Sequence, residues 1–172
     1  MFTVRRLAAD EGALLRSARL AALADAPGDA TTTVARAEAH DDDHWATSAS
    51  ANASGPLQAT FFAETDDEAG DEGEGAALVG MVGAYANRDG VVNVVGLWSA
   101  PGHRDIGVAT ALLDAVAGWA RTSGHVRLRI WVVERNEFAR RFYEGEGFTG
   151  TGASIAYELD PRISQCEMVL VL

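Results

Sequence analysis

Arg104-Asp105-Ile106-Gly107-Val108-Ala109 follows closely on the apolar run Val91 to Trp98, and the reading of that junction decides the fold. The run has strand character, Pro101-Gly102 breaks it, and apolar residues return at helical period from Val108 to Arg121. Gly107 and Ala109 keep the first helical turn free of bulk, so backbone N–H groups can approach an anion closely. The unpaired N–H groups of a helix start, together with the positive end of its dipole, favour a phosphate there. A glycine turn alone is a weak signal, because many strand-to-helix junctions use glycine only for geometry. Downstream lies a second motif, Asn136-x-x-Ala139-x-x-Phe142-Tyr143-x-x-x-Gly147-Phe148.

Outward from the junction, Phe2 to Leu7 alternates as a first strand. Asp10 is placed to cap a helix running to about Ala24, with Leu14, Leu15, Ala18 and Ala22 on its apolar face, and Pro27-Gly28-Asp29 stops it. Residues 30–54 read as a loop and a weakly apolar helix around Trp45, and Asn52 to Pro56 as a turn. Leu57 to Glu64 is a strand. The acidic run Asp66 to Gly75 is predicted to be a solvated, mobile loop, since Ala69 is its one apolar residue. Ala76 to Asn87 and Val91 to Trp98 flank Arg88-Asp89-Gly90, a hairpin signal. Val108, Leu112, Val116 and Trp119 share one face of a long helix. Val126 to Val133 is a strand, Asn136 caps the next helix, Gly147 ends it, and Cys166 to Leu172 closes the fold.

At 172 residues the chain reads as one domain, 1–172, with no apolar run long enough for a membrane span and no apolar leader at Met1 to Arg6. The single Cys166 excludes an internal disulfide and fits a reducing cytoplasm, and no Cys/His spacing suits zinc. A net charge of −11 argues against nucleic acid as a partner and is compatible with cationic acceptors such as amines. All 14 basic residues are arginine, with no lysine, which together with abundant Ala, Gly and Asp suggests a GC-rich genome.

With both motifs in place, the chain resembles the GNAT acetyltransferase superfamily. Its members carry Arg/Gln-x-x-Gly-x-Gly/Ala for the acyl-CoA pyrophosphate and, further along, Asn-x-x-Ala-x-x-Phe-Tyr-x-x-x-Gly-Phe. The likeness is strongest from Val91 to Phe148 and looser before residue 57, although Arg16 to Pro27, reading Arg-x-x-Arg-Leu-x-Ala-Leu-x-x-x-Pro, is also similar to bacterial members. It implies an α/β (α+β) fold: a single mixed, mostly antiparallel sheet of six or seven strands, helices on both faces, and a splayed central strand pair.

The same resemblance implies acetyl-CoA as co-substrate and no metal. Pantetheine would lie along the main chain of Leu97, Trp98 and Ser99. The pyrophosphate would meet the N–H groups of Arg104, Asp105, Ile106, Gly107, Val108 and Ala109, with the Arg104 charge beside it. Asp105, where the family often has glycine, would point to solvent or cap the helix. Asn136 matches a cofactor contact, and Tyr143 matches the general acid that protonates the departing thiolate, with packing beside Ala139 as its plainer role.

Relatives carry a basic glutamate at positions matched here by Asn93 or Trp131, neither of which can accept a proton. Glu134 is nearby, but alternation puts it on the opposite face from Trp131. The region His40-Asp41-Asp42-Asp43-His44 reads as a capped helix start rather than a metal site, and in the family it walls the acceptor pocket, which makes His44 and Trp45 candidate substrate contacts. Trp119 and Trp131 read as core. The implied activity is transfer of acetyl by direct attack to a primary amine of a small molecule or peptide, or of a protein N-terminus or side chain, in a cytoplasmic bacterial protein that allows a homodimer. The alternative is a non-catalytic acyl-CoA-binding or sensor module.

Overall fold

Arg5, on the first strand β1 (Phe2–Arg6), holds two carboxylates at once. Its guanidinium donates to Glu64 at 2.6 and 2.7 Å and to Glu11 at 2.7 and 2.8 Å. These charge-assisted bonds hold the Glu11 carboxyl below its ordinary range. Glu11 also accepts from the Ala8 N–H at 2.8 Å. So engaged, it moves the start of α1 (Gly12–Asp25) to itself, and the expected Asp10 cap does not form.

The computed structural model describes residues 1–69 and 73–172, leaving aside the side chains of 29 and 66–75. Its seven strands form one sheet in the order β1-β2-β3-β4-β5-β7-β6. After β1 these are β2 (Gln58–Ala69), β3 (Gly73–Ala86), β4 (Val91–Ser99), β5 (Arg127–Val133), β6 (Thr149–Tyr157) and β7 (Asp160–Val171). Only β4 and β5 run parallel; every other neighbouring pair is antiparallel. The mixed, mostly antiparallel sheet that the resemblance implies is therefore present.

The β2–β3 ladder continues to the pairs Glu68↔Ala76 and Ala69↔Gly73, through register shifts. Much of the acidic stretch expected as loop is thus strand. Once two antiparallel strands are in register, main-chain pairing can run outward without apolar side chains. The tip, 70–72, lies outside the described residues.

α1, α2 (Val34–Glu38) and α3 (Asp42–Ala53) cover one face of the sheet, where Leu15, Ala18, Leu23, Trp45, Phe62 and Met81 form a buried cluster. The other face takes α4 (Val108–Thr122), and α5 (Glu137–Gly145) adds Tyr143 to the same cluster. The expected α4 stripe is buried in full: Val108, Leu112 and Val116 are almost inaccessible, and the Trp119 indole donates to Gly55 O at 3.1 Å. Trp131 departs from expectation. It belongs to neither cluster and lies half-buried with the Arg129 guanidinium 5.9 Å from its ring. Strand alternation explains this, because Leu128, Ile130 and Val132 take the α4 side and leave Trp131 on the opposite face. Among the described residues no helix is long and apolar enough to cross a membrane.

α1 and α3 meet at Gly12. A Cβ there would lie 2.9 Å from the Ala46 nitrogen and 3.0 Å from its Cα, both main-chain atoms. Gly12→Ala should therefore destabilise the fold although alanine is the better helix former by about 1 kcal/mol. Against main-chain atoms the cost falls in the upper part of the usual overpacking range, roughly 2–3 kcal/mol, which leaves a net loss of about 1–2 kcal/mol. The expected result by calorimetry is a melting temperature lowered by about 2–8 °C; an unchanged or raised value would show that the two helices separate freely.

Candidate active site

The parallel pairing of β4 and β5 stops early. It covers Val91↔Arg127, Val92↔Leu128 and Asn93↔Arg129, while β4 runs on to Ser99 and β5 to Val133. β5 instead pairs with β7 as far as Val133↔Gln165. From Val94 to Ser99, β4 thus has β3 on one side and, among the described residues, no strand on the other. Between Gly83↔Val95 and Met81↔Trp98 the β3–β4 register shifts by one residue, and Gly96 within that bulge has φ +60°. A bulge increases local twist, which turns the end of β4 away from β5. The Ser99 hydroxyl is buried at this opening with no hydrogen-bond partner among the described residues.

Beyond Ser99 a single 3-10 turn, Pro101–His103, delivers the chain to the exposed residues Arg104–Gly107. Asp105 has φ +63° and Gly107 φ +87°, two left-handed residues that fold the segment tightly before α4. The first helical bond is Ala111 N–H to Gly107 O, which leaves the N–H groups of Val108, Ala109 and Thr110 without an intrahelical acceptor. Asp105 points to solvent and does not cap the helix, whose N-cap is Gly107. Around the place a Gly107 Cβ would take, no heavy atom lies within 4 Å. An open edge of β4 that leads to an exposed helix start fits an extended ligand ending in an anion.

The Arg104 guanidinium is paired with Asp25, at the end of α1, and its Nε donates to Ser99 O at 3.4 Å. The same Asp25 oxygen accepts the Trp98 indole N–H at 2.9 Å. One carboxylate therefore fastens α1 to both the end of β4 and the turn. The sequence gives no warning of this, because Asp25 lies far upstream in a helix tail.

Across the gap, Asn136 caps α5 through Oδ1, which accepts the Ala139 N–H at 2.9 Å. Tyr143 is buried, with its ring centroid 5.2 Å from that of Phe142 and 5.5 Å from that of Phe148. Gly147, at φ +90°, takes the chain out of α5 as expected. Thr110 of α4 donates to Glu146 at 2.7 Å, so the two helices bordering the opening are tied. The Asn93 side chain is buried and accepts from Arg129 Nε at 2.9 Å. Glu134 is exposed just past β5. A carboxylate that sequence reasoning missed, Glu167, sits on β7 directly opposite Trp131, 3.4 Å from Arg129, and accepts from Thr151 at 2.6 Å.

On the α1–α3 side of β4 lies a cavity of about 280 Å³, whose walls include Arg19, His40, His44, Trp45, Tyr85 and Val95. Asp41 caps α3 by accepting the His44 N–H, as the acidic triplet suggests. The two imidazoles stack at 3.7 Å with their edges toward Trp45, and no group of metal-ligating side chains occurs among the described residues. Tyr157, at the end of β6, donates to Ala30 O at 2.6 Å and so pins the loop after α1 that carries Thr31 and Thr32. Tyr157 carries no signal in the sequence, and Arg19, although it lies in the Arg16 to Pro27 stretch quoted above, carries none of this placement; each gains its place through contacts remote in the chain.

The profile of the acetyltransferase (GNAT) family matches residues 21–148, well over half of the chain. The chain belongs to that family. No curated protein matches it. Among solved structures, a GNAT acetyltransferase from Streptococcus pneumoniae aligns at a TM-score of 0.78 and 17% identity, covering 100% of this chain and 99% of that one. A putative acetyltransferase from Salmonella typhimurium, solved with its cofactor acetyl-CoA, aligns at 0.73 and 17% identity over 100% and 94%. A nourseothricin acetyltransferase is 26% identical over 67% of this chain and 66% of its own, at 0.58. In this GNAT chain the family's splayed pair is β4 and β5.

The Asn136 cap can be tested on its own. Asn136→Ala should cost about 1 kcal/mol, the usual worth of an N-cap, and lower the melting temperature by about 2–4 °C. Asn136→Asp keeps the acceptor and should melt within a degree or so of the parent. Equal melting of all three would show that the Ala139 bond does not stabilise α5.

Proposed function

We propose that this GNAT protein transfers acetyl from acetyl-CoA to a primary amine by direct attack. One observation carries the reading: the unpaired edge of β4 from Val94 to Ser99 leads straight to the open N–H groups at the start of α4. Pantetheine can bond to the main chain of Leu97, Trp98 and Ser99, and the pyrophosphate can meet the segment Arg104–Ala109. The Salmonella typhimurium neighbour, of the same fold, was solved with acetyl-CoA. Amine and thioester held side by side need little further chemistry, because positioning removes most of the entropic barrier.

Tyr143 supplies the proton. A phenol keeps its proton at neutral pH and can release it as charge develops on the departing sulfur. Its burial among Phe142 and Phe148 fixes the ring. Asn136 orients the start of the same helix toward the cofactor. With amide and indole at positions Asn93 and Trp131, the ammonium proton leaves by water. The single thiol, Cys166, is free, which suits a bacterial cytoplasm.

A second reading, an acyl-CoA-binding sensor without turnover, is favoured by the missing carboxylates at Asn93 and Trp131. Thiol release with a panel of amines separates the two. Transfer predicts amine-dependent release, and a sensor predicts acetyl-CoA binding without it.

Two variants probe the site. Gly107→Ala forces a side chain into a left-handed residue at a cost of roughly 1–2 kcal/mol, and it should weaken acetyl-CoA binding by calorimetry while the protein stays folded. Unaltered affinity would remove the turn from the cofactor site. Tyr143→Phe keeps the ring and should leave acetyl-CoA binding intact while kcat and kcat/KM fall together by roughly 10- to 100-fold, at or below the usual general-acid contribution. Equal rates under conditions where chemistry limits turnover would take the proton-donor role from Tyr143.

A further inference from the structure

The cavity on the α1–α3 side of β4 opposes the charge of the chain. The protein has 25 acidic residues against 14 arginines, yet among the described residues no carboxylate lines this cavity. Asp43 lines only the adjoining, more open groove, which shares His44, Ser48, Asn52 and Gln58 with the cavity. Among the described residues, the one permanent charge on the walls is the Arg19 guanidinium. A surface acidic overall would draw cationic amines toward the molecule, but this cavity would repel a polyamine or aminoglycoside once it arrived.

Arg19 is half-buried, and its one hydrogen bond among the described residues goes to Thr31 Oγ1 at 3.2 Å. No ion pair reaches it among those residues, in contrast to Arg5, Arg104 and Arg129. Burial pushes its pKa down without removing the charge. A guanidinium taken out of water without a carboxylate is costly, and its planar fork suits an incoming one. The fork rests on the β4 bulge, where a Cβ on Gly96 would stand 2.5 Å from Nη1. Leu97, Trp98 and Ser99 follow immediately, so an anion held by Arg19 lies next to the strand edge that receives the thioester arm.

We propose that the acceptor is a free amino acid, with its carboxylate held by Arg19 and its α-amine presented to the thioester. Given the transfer activity proposed above, an α-amino acid places the anion and the nucleophile within one residue of each other, matching an anchor that abuts the reacting strand. At about 280 Å³ the cavity lies just below the usual range for drug-sized ligands. Leu15, Trp45 and Met81 give it apolar walls for a side chain, and Gln58 and Tyr85 give it polar groups. In the reaction the amine nitrogen forms a bond to the thioester carbonyl carbon and the C–S bond breaks. Sulfur takes the electron pair and the Tyr143 proton, the nitrogen sheds its extra proton to water, and a proton from water restores the Tyr143 phenol. The carboxylate stays unchanged on Arg19.

The test compares the twenty L-amino acids with matched carboxamides and decarboxylated amines, such as leucinamide and isoamylamine for leucine, by thiol release and by calorimetry. For at least one amino acid, kcat/KM should exceed that of its amide by about 30-fold or more. Arg19→Gln should raise KM for that amino acid by about 10- to 100-fold, with Arg19→Lys recovering part of the loss. KM for the amide and the Kd for acetyl-CoA should not move. Amides and simple amines used as well as the acids, no acid bound or turned over, or an unchanged KM in Arg19→Gln would each overturn the proposal. Turnover of amines without preference for a carboxylate sinks the anchor and leaves transfer standing. Arg19-dependent amino-acid binding without turnover sinks transfer and leaves the anchor. Should Arg19→Gln fail to fold, the acid-against-amide comparison on the parent protein decides alone.

Discussion

Three residue pairs between β4 and β5 hold two halves of the sheet together, and everything at the site follows from the pairing stopping there. Main-chain polar groups have to be satisfied. β4 is supported from β3 and β5 from β7, so each strand keeps an outward edge where a strand would otherwise lie. α4 packs across β1 to β5 and spans the join from beneath, which explains why its buried side is apolar from Val108 to Ala120. A polar residue there would sit where the two halves have little else to hold them. The opening is thus stabilised from the opposite face of the sheet.

Glycine sets the shape of that opening twice. At Gly96 the bulge needs φ +60° and the Arg19 guanidinium needs the vacant Cβ position, so one residue answers both a backbone and a packing demand. At Gly107 the space is open and only the left-handed backbone requires it. A bulky residue would therefore fail for different reasons at the two places, by collision at Gly96 and by strain at Gly107.

Local features were legible in the chain. The α4 stripe, the turn at Asp89-Gly90, the Asn136 cap and the Gly147 exit each depend on residues within a few positions of one another, where periodicity and turn chemistry act. The parallel β4–β5 pair and its early end came from resemblance, because pairing of remote strands leaves little trace in either one. Reading failed where a distant partner competes. Asp10 loses the cap because Arg5 and Ala8 draw Glu11 back. Asp66 to Ala69 joins a strand because its partner is already in register. Trp131 faces away from the core because its neighbours in β5 fill it. The Asp25 clasp on Trp98 and Arg104, and the lone guanidinium of Arg19, are tertiary facts without local signature.

The cations described here, Arg5 on its two carboxylates, Arg104 on Asp25, Arg129 on Glu167 and Arg19 in the cavity, are all guanidinium groups, and the chain contains no lysine. A guanidinium stays protonated at any physiological pH and has no free lone pair with which to attack a thioester. The chain therefore offers no side-chain ammonium group to an activated acetyl donor. Acetylation of its own lysines, a hazard for any protein that binds a reactive acyl donor, has no target in this one.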